Sequence, residues 1–86
     1  MTDYTELLRE IADELGAVVT PSLQKEASRR IEDIFESNTD EITLPLLTLK
    51  IIRAVVPLFQ VPIPQGSEQE STLVYILAPL VADTML

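Results

Sequence analysis

The stretch on which the fold turns is Leu44-Pro45-Leu46-Leu47-Thr48-Leu49-Lys50-Ile51-Ile52-Arg53-Ala54-Val55-Val56-Pro57-Leu58-Phe59. Read as a strand, its branched residues from Leu49 to Val56 suit a buried sheet. Read as a helix, its length fits, and Pro45 falls in the first turn, where a missing N–H would have had no partner. The helix is the better reading, beginning near Thr43 or Leu44. Its apolar residues surround it almost completely, which demands burial on nearly all sides. Lys50 and Arg53, one turn apart, leave a narrow polar edge. Two cations on an oily helix are costly to bury unpaired. They reach water by their long stems or meet acids across an interface.

The flanks of this stretch are helical by pattern. Upstream, Thr20-Pro21 is an N-cap followed by a proline at the first helical position. Leu23, Ala27, Ile31, Ile34 and Phe35 then form one apolar stripe. Glu26 with Arg30, and Arg29 with Asp33, stand four apart as opposite charges. Ser37-Asn38 ends this second helix, and a polar turn runs from Asn38 to Thr43. Further upstream, Asp3 and Glu6 fit a capping box. Leu8, Ile11, Leu15 and Val18 recur at helical spacing, with Leu7 and Ala12 beside them. Gly16 weakens that first helix near its end.

Downstream, Gln60 to Gly66 reads Q-V-P-I-P-Q-G. Alternate prolines impose an extended loop, with Val61 and Ile63 expected against the body. Ser67 with Glu70 makes a second capping box. Leu73, Val74, Ile76, Leu77, Leu80 and Val81 follow, and Pro79 is expected to kink or break this fourth helix. The expectation is a single domain over residues 1–86, all-α, a bundle of four helices with the third most buried.

Composition removes many chemistries. The 86 residues include no cysteine and no histidine. The chain therefore lacks disulfides, thiolate zinc ligands and the commonest general base. Adjacent acids such as Asp13-Glu14 point about 100° apart on a helix and do not converge on one proton. Glu32 and Glu36 share a face, but two carboxylates without carbonyl support hold a cation weakly. Gly16 and Gly66 are the only glycines, so no phosphate loop exists. No enzyme, cofactor or metal site is expected.

The net charge of -8 disfavours phosphate backbones and anionic membranes, and suits solubility, a basic partner or mimicry of nucleic acid. Residues 11–16 followed by a helix with Lys25, Arg29 and Arg30 vaguely look like a helix-turn-helix. The turn is long, and Glu26, Glu32 and Asp33 share the would-be recognition helix. No apolar run reaches the roughly 20 residues of a membrane span. The polar, acidic start is unlike a secretory signal, so a cytoplasmic setting is expected.

All basic residues lie at or before Arg53, and the second half is oily. Two amphipathic helices offer one stripe each to cover two oilier ones, so part of the latter should stay exposed. The first expectation is therefore a non-enzymatic protein–protein interaction module, a homodimer or a subunit of a larger assembly. It would bind through helices three and four, with Lys50, Arg53, Leu73, Leu77 and Leu80 at the face. The second is a small acidic inhibitor of the immunity, antitoxin or anti-defence kind. It would press Glu32, Asp33, Glu36, Asp40 and Glu41 against a basic site. A helix-turn-helix regulator is the third.

Overall fold

Helix α3 (Leu44–Val55) is the element on which the others converge. The computed structural model describes residues 4–37 and 42–85. Around α3 lie α1 (Thr5–Leu15), α2 (Pro21–Ser37) and α4 (Glu68–Met85). A 3-10 turn, Val56–Phe59, extends α3, and the described residues contain no strand. The stretch that decides the fold is thus helical, as its length and Pro45 predict. Its last residues tighten into the 3-10 turn because Pro57 has no N–H to continue the α ladder.

The core is aliphatic. Leu7, Leu8 and Ile11 of α1, Ala27 and Ile31 of α2, Leu47, Ile51, Ile52 and Val55 of α3, and Leu73, Leu77 and Val81 of α4 form one buried cluster. Thr48, also buried, donates its hydroxyl to the Leu44 carbonyl at 2.8 Å, so its burial leaves no polar group unpaired. Helix α3 packs against both α2 and α4, and α1 packs against α4 and α2. The radius of gyration, 11.9 Å, is that of a tightly packed chain of this length.

Three helix ends follow the sequence closely. The Leu23 N–H donates to Thr20 Oγ1 at 3.2 Å, so threonine caps α2. The Glu70 N–H donates to Ser67 Oγ at 3.2 Å, which caps α4. Helix α1 stops at Gly16, which has φ +66°, with Ala17 N–H bonded to the Ala12 carbonyl and Gly16 N–H to that of Asp13. That left-handed step turns the chain out of the helix. Val18, expected on the apolar stripe, is accordingly 81% exposed.

Four details add to the sequence reading. Tyr4 occupies the cap position of α1 with a left-handed backbone, and the Asp3 of the expected capping box lies outside the described residues. Pro79 does not break α4, which runs continuously through it. Pro79 and Tyr75 both sit on the exposed face, so the Tyr75 carbonyl that loses its helical donor is open to water. Arg29 donates to Glu26 at 2.9 Å, a carboxylate that Arg30 also binds, and the charge of Asp33 adds a smaller attraction. Helix α3 packs against its neighbours as its apolar run predicts. Pro45, Leu46, Lys50 and Arg53 are exposed, which leaves it one wet face.

Candidate functional site

The five residues placed on an apolar assembly face fall in different surroundings. Leu77 is fully buried and Leu73 nearly so, both inside the core, and Leu80 is half-buried against it. Lys50 is exposed on α3. The core absorbs most of the oil of α3 and α4. Among the described residues, Val18, Leu46 (47%) and Tyr75 (84%) are the large hydrophobic side chains left exposed. Leu73 and Leu77 are therefore packing residues in the folded chain.

Arg53 meets its acid inside the chain. Its Nε donates to Glu70 Oε2 and its Nη2 to Glu70 Oε1, both at 3.1 Å. The Gly66 N–H donates to the same Oε1 at 2.8 Å. The capping box is thus altered: the Glu70 carboxylate clasps Gly66 and Arg53. The pair is lopsided, with 42% of the Arg53 side chain exposed and 5% of the Glu70 side chain. Arg53 and then the Gly66 N–H hold the Glu70 carboxyl below its ordinary value of 4.5. An anion so stabilised is a poor proton acceptor, and the arrangement works as a clamp tying the proline loop and the start of α4 to α3. The clue in the sequence is that α3 carries two cations and no acid. Which distant acid would answer them was not legible there.

The acidic candidates on α2 behave differently. Glu32, Asp33 and Glu36 are all exposed in its last two turns, and no basic residue occupies its last turn. Asp40 and Glu41 lie outside the described residues. Tyr4 closes this end of the molecule. Its ring stacks on Phe35 with centroids 5.7 Å apart and planes 23° apart. Burial first, then the charges of Glu32 and Glu36, raise its phenol above the ordinary 10.0. Tyr4 was not among the candidates read from sequence. It stands next to a capping pattern and carries no periodic signal.

The cations of the helix-turn-helix reading are largely committed. Arg29 and Arg30 both bind Glu26, and Arg30 also donates to the Ala54 carbonyl at 3.4 Å. Cations already paired give up that pairing to meet phosphate, which weakens the reading. The described residues hold no cluster of three or more acids that could bind a metal ion. Nor is any described helix long and apolar enough to cross a membrane. The architecture is that of an all-α, four-helix domain with a clamped loop and an acidic helix end. No family model, curated protein or solved structure matches the chain.

Proposed function

We propose that this protein is a non-enzymatic protein-binding module that presents the acidic end of α2 to a basic partner. One observation carries the reading: Glu32, Asp33 and Glu36 stand exposed toward a helix end that has no basic residue in its last turn. A helix C-terminus is already negative, and an acid there costs about 0.3–1 kcal/mol. Glu32 and Glu36, four apart, also repel one another by a few tenths of a kcal/mol. Charge kept in place against stability is what a binding surface requires. The finer form of the proposal is a small cytoplasmic inhibitor of the immunity, antitoxin or anti-defence kind, covering a cationic site on its target.

The test is affinity capture from cell extract with the native chain and with an E32Q/D33N/E36Q variant, at low and high salt. The expected result is a basic protein retained by the native chain at low salt, released by high salt, and not retained by the variant. Retention of the same proteins by both chains overturns the proposal.

A second reading, self-assembly through α3 and α4, draws support from Leu46 and Tyr75, which leave apolar surface exposed on those helices. Light scattering across a dilution series decides it. A salt-resistant dimer that L46E dissociates supports assembly, and a monomer at every concentration ends it.

A further inference from the structure

Between the end of α1, the proline loop and the first turns of α4 lies a groove of about 430 Å³. Leu15, Val61, Ile63 and Leu73 line its deeper part, all of them half-buried or buried. Glu14 and Glu68, both exposed, flank it. Neither forms an ion pair with a described residue. No lysine or arginine lines the groove, and the chain has none after Arg53. The groove combines aliphatic side chains with two exposed acids and no cation, and Gln69 and Thr72 also line it.

Two further features point to what it takes. Pro62 and Pro64 keep the loop extended, and Val61 and Ile63 turn inward while the prolines are exposed. The backbone N–H and C=O groups of Val61 and Ile63 make no hydrogen bond to any described residue. In an extended segment, groups two residues apart point the same way, so these form a short unpaired edge. Beyond the groove, Glu68, Thr72, Tyr75 and Pro79 continue one exposed face of α4 at steps of four, three and four. Tyr75 is 84% exposed there, and an aromatic face attracts cationic side chains.

We infer that this groove seats an extended segment of a partner protein in which aliphatic residues alternate with lysine or arginine. Period-two alternation sends aliphatic side chains down to Leu15, Ile63 and Leu73 and cations up to Glu14 and Glu68. The Val61–Ile63 edge offers it main-chain hydrogen bonds. The inference rests on the reading of the protein as a binder of basic partners, and differs from it in placing the contact away from α2.

The probe is a short, capped peptide of alternating lysine and leucine, titrated into the full chain while backbone amide shifts are followed by NMR. Shifts concentrated at Val61, Ile63, Thr72 and Leu73 are expected. Affinity should weaken about three- to tenfold in an E14Q/E68Q variant and stay unchanged in the charge-matched E6Q/D83N, whose exposed acids lie outside both the groove and α2. A peptide with serine in place of leucine keeps the charge and should lose the groove shifts. Equal shifts with the serine peptide overturn the inference by showing charge alone at work. Shifts confined to Glu32–Ser37 also overturn it, while leaving the acidic end of α2 as the binding surface. No shifts anywhere remove both. Groove amides that move on concentrating the chain without peptide assign the groove to a second copy and overturn it as well.

Discussion

Two helix ends in this molecule carry acids, and they carry them for opposite reasons. At the start of α4, Glu68 and Glu70 meet the positive end of the helix, and Glu70 is further held by Arg53 and the Gly66 N–H. At the end of α2, Glu36 meets the negative end, Glu32 stands one turn behind it, and no cation occupies the last turn. The first arrangement lowers the energy of the fold. The second raises it and leaves a field pointing outward.

The largest expected difference comes from breaking the clamp. R53M leaves the enclosed Glu70 carboxylate without its counter-charge, and the melting temperature should fall by roughly 10 °C or more. Thermal scans of native and variant chains measure this. The same clamp sets an acid limit. Because the Glu70 carboxyl titrates below its ordinary value in the fold, its contribution is present above that ordinary value. It is lost as pH falls through the depressed value. Denaturant midpoints taken downward from neutral pH should drop more steeply in the native chain than in R53M. Equal slopes would mean that Arg53 is not what depresses Glu70.

Next in size is the cap beside it. S67A removes the acceptor of the Glu70 N–H and should cost about 1 kcal/mol by denaturant unfolding. The smallest effect has the opposite sign. E36Q removes a charge that its helix opposes, so stability should rise by a few tenths of a kcal/mol. In E32Q/E36Q the Tyr4 phenol should also titrate lower than in the native chain. It should stay above its ordinary 10.0, because burial is the larger cause of the shift. Ultraviolet titration of the tyrosines reads this. A loss of stability in E36Q would show that this carboxylate supports the fold, and the contrast between the two ends would collapse.

Much of the fold was legible because its signals are local. Thr20-Pro21 and Ser67 announce helix starts through the geometry of one turn, and the apolar stripes of α1 and α2 recur within a few residues. What escaped was non-local. Arg53 and Glu70 lie 17 residues apart and meet only once the loop folds back. Pro79 was expected to kink or break α4; the helix runs through it, since whether a helix survives proline depends on what else can reach the freed carbonyl. Apolar surface left on α3 and α4 was expected, and Leu46 and Tyr75 carry it, but which residues would show was not legible for a similar reason. Composition counts oil, whereas covering it depends on how α1, α2 and α4 wrap α3. Of the candidate sites, the acids of α2 were visible as a run of charge, and the groove beside the proline loop belongs to three separated segments.

The packing of α1 against α4 has a consequence for the order in which the chain can fold. During synthesis α2 and α3 can close on one another soon after they appear, because a short stretch joins them. Helix α1 emerges before both, yet a principal surface for its Leu7, Leu8 and Ile11 belongs to α4, the last of these four to be made. Until α4 arrives that stripe is only partly sheltered by α2, and its leucines are open to whatever meets a nascent chain. Of the four helices, the earliest to be written is among the last to be settled.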